Sequence, residues 1–489
     1  MELRHVDAFR LAGAVIRPRV AAAAILLLIA LRLVMAGLLP LSADEAYYWL
    51  WSRHLAAGYY DHPPAIAFLI RAGTLLFGDT PFGVRLFPVL LSLPASWWVW
   101  RTALMFQEPR RAALAALLFN LTLMIGVEAL VATPDAPSIA FSAAYVWCLA
   151  RTQNSGDARW WLAAGAAAGL GMLSKYAALF LGAGTLVWLI AEPRARVWLR
   201  SPWPYLGGLV AAVIFAPNLI WQARHHWMTF AFQFGRMAGG HLTLRYLAEF
   251  LAAQASLATP LIFLLACAGL WRASRRGQNQ FLLAMLVWTG FAYFLIHALH
   301  ERVQGNWPCF LYPVVAILAA GAFDGQGVTW RWLSWSAAPL ACVLLLLIYA
   351  QALFEWLPLR NDPLPRLLGR GFPSIARTVA EAIQGGRFDA VLTTDYETTA
   401  WLRFYQPNVK VIQIDEPWRY PDAPAPGPLL KKRLLYLVEA RRDRAGLVRQ
   451  SFTGVGSPTA MRGESNSGSP LYELFPVLGP KRMMLGEMP

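Results

Sequence analysis

A chain of 489 residues that is 57% hydrophobic and only 15% charged is too apolar for an ordinary soluble domain. Its net charge of +15 comes without a stripe of basic residues interleaved with aromatics, which argues for anionic lipid surfaces and against a nucleic-acid groove. All four cysteines, Cys148, Cys267, Cys309 and Cys342, lie in or beside apolar windows, which argues against a disulfide framework or a zinc ribbon.

Repeated apolar windows predict a mainly α, polytopic membrane protein. The first, 20–39, follows Arg4, Arg10, Arg17 and Arg19 and reads as a retained span rather than a cleaved leader. Further candidates in chain order are 82–100, 112–127, 137–150, 160–173, 177–190, 205–221, 250–271, 281–298, 308–322 and 334–356, about eleven spans in all. The short pair on either side of "SKY" (174–176) reads as a helical hairpin whose tip barely leaves the lipid.

Alternate loops differ in charge. One set, beginning with the N-terminus, carries 16 lysines and arginines, whereas the longer opposite set carries 7. The positive-inside rule places the first set in the cytoplasm and everything from about residue 360 outside. The expected organisation is a transmembrane catalytic domain over 1–359, with a long external first loop over 41–80, followed by a soluble extracytoplasmic α/β domain over 360–489.

The unusual polar motifs sort to the external face: "ADEAYYW", "YYDHPP", "ATPDAPS", "SKY", "WQARHHW" and "HERVQGNW". In the first loop, Gly58 and the Pro63–Pro64 pair break two short surface helices. Tyr47, Tyr48, Trp49, Trp51, Tyr59 and Tyr60 suit the headgroup layer as anchors. Asp44 and Glu45 admit two readings: acids in the first turn of a helix capped by Ser42, or carboxylates kept at the hydrocarbon edge for a substrate.

Asp135 stands between Pro134 and the helix expected from Pro137, where it can cap the helix and also serve chemistry. Lys175 and Tyr176 interrupt an apolar stretch, and a lysine at that depth either snorkels or pairs with an anion such as a phosphate. His225, His226, His297, His300, Glu301 and Arg302 fall on the same side, where histidines beside tryptophan are commonly just solvated. For a divalent metal ion, Asp61, His62 and one of His225 or His226 could supply ligands if they converge.

Beyond residue 360 the pattern changes to helix over 372–384, strand over 388–395, helix over 396–405, strand over 409–415 and a third strand in "LLYLVEA". Asp395, Tyr396 and Glu397 sit at a strand's C-terminal end, either as a capped helix start or as a ligand site. "GVGSPTAMRGESNSGSP" reads as a mobile loop.

Taken in order, Asp44–Glu45, "YYDHPP", "TPDAP", the Gly-rich span ending in "LSKY", and "VQGNWP" resemble the GT-C superfamily of lipid-linked-sugar glycosyltransferases. That superfamily includes protein O-mannosyltransferases and the lipid A aminoarabinose and galacturonic acid transferases. The resemblance implies a polyprenyl-phosphate sugar donor used at the outer face of the cytoplasmic membrane. Candidate acceptors are lipid A or lipopolysaccharide, another glycan, or a protein hydroxyl.

The same resemblance implies Asp44 as the main catalytic carboxylate and Asp135 as a second functional acid, with Glu45 beside them. Relatives in the aminoarabinose branch carry a lysine before the proline where this chain has His62. A histidine is not a permanent cation, so donor-phosphate binding would pass to Lys175, Tyr176, Arg302 or a bound metal as well as His62. The rival class is a lipid or sugar transporter or flippase, which would show internal repeats and mid-membrane charges. No convincing repeat is visible, and Arg32 and Arg85 are the main charges inside spans.

Overall fold

The computed structural model describes residues 16–235, 242–323, 327–357, 359, 362–420, 426–464 and 470–481. Arg4 and Arg10, and residues 465–469 of the Gly/Ser-rich segment, lie outside the described residues. The chain divides into two compact units: Met1–Val34, Asp61–Ile66 and Phe87–Leu347 in the first, and Met35–Tyr60, Ala67–Leu86 and Ile348–Pro489 in the second.

The first unit is helical. Among the described residues, four helices are long and apolar enough to cross a membrane, Pro18–Leu38, Pro81–Ala103, Trp203–Arg224 and Val328–Phe354, and a bent pair makes up to five. The remaining apolar helices are shorter, among them Trp160–Ser174, Tyr176–Ala191, Phe281–His297 and Trp307–Gly321. By length and composition, then, four spans are clear against the eleven windows expected. The window at 250–271 is not one straight helix. Arg245–Leu257 and Pro260–Ala273 meet at a bend of 105°. Pro260 disfavours helical geometry at its predecessor, and Thr259 leaves the helix with φ +69° and ψ 143°.

Glycines let helices of this unit approach closely. A Cβ on Gly165 would lie 2.0 Å from the carbonyl oxygen of Gly207, and one on Gly269 would lie 2.0 Å from that of Leu318. Only a bare backbone lets these helices approach so closely, which is how helices in lipid gain packing contact. A polar brace adds to it. The buried Arg32 donates to the Asn120 side chain and carbonyl at 2.9 and 2.7 Å, and Asn120 reaches Ser96 at 2.7 Å.

The second unit joins the first-loop helix Ala43–Arg53 to the C-terminal α/β part, so residue 360 falls inside it. Its strands are β1 (Ala390–Thr393), β2 (Val411–Gln413), β3 (Leu434–Glu439), β4 (Phe452–Val455), β5 (Thr459–Arg462) and β6 (Leu471–Pro480). The sheet order is β2-β1-β3-β6-β4, with β5 also paired to β6. β1 runs parallel to β2 and β3, whereas β6 pairs antiparallel with β3, β4 and β5.

The three strands expected from sequence are present, and their fully buried runs fit strands covered on both faces. The Gly/Ser-rich segment differs from expectation: β5 and the end of β4 lie within it, held by β6. The core is formed by Leu392, Ile412, Leu434, Tyr436, Val438, Phe452, Phe475 and Val477. Helix Tyr396–Tyr405 packs on Ala43–Arg53: Trp401 Nε1 donates to the Leu41 carbonyl at 2.9 Å, and Phe404 meets Trp49 edge-on at 5.0 Å.

Candidate active site

In the second unit, the sequence S-A-D-E builds a capping box. The Ser42 hydroxyl accepts from the Glu45 backbone N–H at 3.3 Å, and Glu45 Oε2 accepts from the Ser42 N–H at 2.9 Å. Both Glu45 oxygens also meet Arg85, Nε and Nη2 each at 2.6 Å, and Glu45 is fully buried. Arg85 further donates to the carbonyls of Leu39 and Pro40 at 2.7 and 2.8 Å. Glu45 therefore holds the chain where it leaves the first span. Its oxygens are committed to that bracket rather than open to a substrate.

Asp44 precedes Glu45 by one residue, about 100° around the helix, and so faces elsewhere. It is exposed, and its Oδ1 accepts from the Tyr396 hydroxyl at 3.1 Å. Tyr396 is the first residue of the helix after β1, capped by Asp395, whose Oδ1 accepts from the Thr398 N–H at 2.8 Å. The capped-start reading thus holds for Asp395, while Tyr396 turns to the first-loop acid. Arg419 lies over the rings of Tyr396 at 5.5 Å and Tyr60 at 4.8 Å, and its guanidinium is paired with Glu416 at 2.7 Å.

In the first unit, Asp135 opens the helix Asp135–Ser155, with Pro134 and Pro137 in positions where no N–H is needed. The carboxylate is buried yet well supplied with donors. Lys175 Nζ lies 2.5 Å and Cys309 Sγ 2.8 Å from Oδ1, and Asn306 Nδ2 lies 2.9 Å from Oδ2. Lys175 reaches it because the backbone there is extended (φ −155°, ψ 132°), between the helix ending at Ser174 and the turn Tyr176–Ala178. A buried charge persists when paired and hydrogen-bonded, which this cluster achieves.

The other expected phosphate ligands have their own partners. The Tyr176 hydroxyl donates to Asn218 at 3.1 Å and accepts from Gln222 at 3.0 Å. Arg302 is exposed and pairs with Glu249 at 3.1 Å, as does Arg245 at 2.9 Å. His62 is half-buried beside Asp61, whose carbonyl accepts from Gln233 at 2.8 Å. His225 stacks on Trp221 with ring centroids 4.0 Å apart, and His226 is exposed. Among the described residues no group of three or more His, Cys, Asp and Glu is gathered to hold a metal ion. The ligand set Asp61, His62, His225 and His226 is therefore not assembled.

The structure thus brings Asp135 and Lys175 together and adds Asn306 and Cys309, which sequence reasoning did not single out. Asn306 had a signal, since it sits in "VQGNWP"; Cys309 and the Tyr396–Asp44 bond, 352 residues apart, had none.

Residues 61–221 match the family model described as dolichyl-phosphate-mannose-protein mannosyltransferase. The chain is 31% identical over 297 residues to lipid A galacturonosyltransferase RgtD of Rhizobium johnstonii, covering 56% of this chain and 59% of that protein. It is 28% identical over 300 residues to an undecaprenyl phosphate-alpha-4-amino-4-deoxy-L-arabinose arabinosyl transferase of Pseudomonas fluorescens, covering 55% and 50%. The matched stretches thus span little more than half the length of these relatives.

Among solved structures, ArnT from Cupriavidus metallidurans bound to undecaprenyl phosphate superposes with a TM-score of 0.64 at 17% identity, over 92% of this chain and 97% of that one. The arabinofuranosyltransferase AftD from Mycobacteria gives 0.52 at 14%, over 95% and 40%. Such identities establish a shared fold. By sequence, residues 61–221 are similar to the dolichyl-phosphate-mannose-protein mannosyltransferase family, and by fold 92% of the chain is similar to ArnT.

Proposed function

We propose that the protein is a glycosyltransferase that moves a sugar from a polyprenyl-phosphate donor to lipid A or a related lipopolysaccharide acceptor. It would act at the outer face of the cytoplasmic membrane, with the N-terminus cytoplasmic and the C-terminal domain outside. The observation that carries this reading is the fold shared with ArnT bound to undecaprenyl phosphate, joined by a relative named as a lipid A galacturonosyltransferase.

In the proposed chemistry Asp44 is the general base. It takes the proton from an acceptor hydroxyl as that oxygen attacks the anomeric carbon, and the bond from that carbon to the phosphate oxygen breaks. The electron pair leaves on the lipid phosphate. One displacement inverts the anomeric centre. Asp44 suits the role because it is an exposed carboxylate with one oxygen oriented by a donor. Lys175 is the proposed phosphate-binding cation, and Asp135 the acid that holds it ready; His62, Tyr176 and Arg302 are assigned lesser parts in phosphate binding. A lipid phosphate approaching Lys175 exchanges one anion for another, which favours a cation already desolvated.

The experiment is transfer by the full chain in nanodiscs. The donors are polyprenyl-phosphate galacturonic acid and polyprenyl-phosphate 4-amino-4-deoxyarabinose, with lipid A, a glycan and a peptide as acceptors, read by mass spectrometry. Glycosylated lipid A with released polyprenyl phosphate is the expected result. Failure of every donor, together with no binding of undecaprenyl phosphate, would overturn the reading.

A further inference from the structure

The C-terminal part places a phenol against the first-loop acid. Helix Tyr396–Tyr405 follows β1 directly, and its docking through Trp401 to Leu41 and Phe404 to Trp49 fixes where its first residue points. The Tyr396 hydroxyl then meets Asp44 Oδ1 at 3.1 Å. The ring itself is held on several sides: Arg419 lies over it at 5.5 Å, Tyr47 packs edge-on at 5.7 Å, and the Tyr420 hydroxyl donates to the Tyr396 carbonyl at 3.2 Å.

We infer that Tyr396 is a positioning residue for Asp44, so that the C-terminal α/β part completes the catalytic apparatus rather than merely accompanying it. This rests on the reading of Asp44 as the base. By donating to Oδ1, the phenol fixes the rotation of the carboxylate relative to the helix that carries it. It also favours the charged form of Asp44, keeping the base ionised at lower pH. The phenol is a dependable donor. Burial, and after it the Asp44 and Glu397 carboxylates, push its ionisation well above the ordinary tyrosine range.

Charged groups near the pair include Glu45, bonded to Arg85; Arg419, paired with Glu416; Arg403, over the Tyr420 ring; Asp395, the cap before Tyr396; and Glu397, bonded to Arg442 at 2.6 Å.

The test is Tyr396→Phe in the full chain, with the pH dependence of kcat read for the lipid A reaction. Removing the donor should move the acid limb up by about one pH unit and lower kcat roughly tenfold, with KM for the donor lipid little changed. Tyr436→Phe is the control: it removes a hydroxyl bonded to Thr394 at 2.9 Å in the same domain, and should leave the profile in place. Placing 4-aminophenylalanine at position 396, which keeps the ring and a donor, should restore the limb most of the way and covers the case where the Phe variant folds poorly.

A wild-type profile for Tyr396→Phe, or the same shift in Tyr436→Phe, would overturn the inference alone. Full activity of Asp44→Asn would instead remove the reading on which it rests. A thermal double-mutant cycle between positions 44 and 396 needs no substrate. Additive losses there would show that the bond does not form.

Discussion

Arg85 grips Glu45 through two contacts of 2.6 Å, tying residues 40 apart at the point where the chain leaves its first apolar helix. The same Glu45 closes the capping box with Ser42. One side chain thus ends the first apolar helix, starts the buried first-loop helix and sets the direction in which Asp44 faces. Glu45→Ala leaves a buried guanidinium without its anion and should cost about 3–5 kcal/mol. Thermal melting in detergent reads this, and a loss below about 1 kcal/mol would contradict the structural role given to Glu45.

Asp44 behaves differently because it is exposed and lies outside that bracket. Asp44→Asn should lower transfer by about 10²–10⁴-fold while leaving the melting temperature nearly unchanged. Activity within threefold of wild type at equal expression would remove it from the base role.

The Asp135–Lys175 pair supplies a contrast between single and double changes. Asp135→Asn or Lys175→Met alone strands a buried charge and should destabilise by about 3–5 kcal/mol. The double variant should recover much of that stability, since no charge is then left unpaired. Recovered folding without transfer would fit Lys175 as the phosphate-binding cation; recovered transfer would exclude it.

Close helix approach predicts intolerance of the smallest side chain. Gly165→Ala brings a methyl to 2.0 Å from the Gly207 carbonyl oxygen, backbone that cannot swing aside. The helices Trp160–Ser174 and Trp203–Arg224 must part, at a cost of about 1–3 kcal/mol or more. Gly182→Ala, where a Cβ meets nothing within 4 Å, is the matched control and should be neutral or slightly stabilising.

The C-terminal part carries its own pH dependence. Burial raises Asp395 from its ordinary 3.8, against the Thr398 hydrogen bonds and Arg442, and raises Glu439 from 4.5, against Arg366 and Arg442. A carboxyl whose folded pKa is raised contributes its stabilisation fully below the unfolded pKa and loses it as pH climbs through the folded one. These two groups therefore favour folding most in mild acid. Asp395→Asn keeps an acceptor for the Thr398 N–H and should flatten that dependence, raising the melting temperature of the full chain at neutral pH relative to pH 4. An unchanged slope would argue against burial as the cause.

Local order made several of these features legible in the amino-acid sequence. Apolar windows located the helices, because a helix in lipid must be apolar along its whole length. Ser42 announced a capped start, with Glu45 in the first turn, and the prolines around Asp135 announced a helix expected from Pro137 with Asp135 as its cap; it begins instead at Asp135, after Pro134. The three strands β1, β2 and β3 followed from short buried runs between turn signals. Residues 459–462 were opaque: a strand of exposed and half-exposed residues has no alternation to detect, and it exists only because β6 runs alongside. The bend at Thr259 was written in Pro260, but the apolar run through it suggested a single span.

Which polar residues meet was a separate question, decided by tertiary structure. Sequence placed Asp44, Glu45, Asp135 and Lys175 among the candidates through their chemistry and setting. It did not reveal that Glu45 belongs to Arg85, that Asp135 and Lys175 belong to each other, or that Tyr396 returns across 352 residues to Asp44. Periodicity and caps act within a few residues, so a chain displays them along its length. A partner for a buried or oriented charge is set by how helices and sheet pack, and that appears only once the chain has folded.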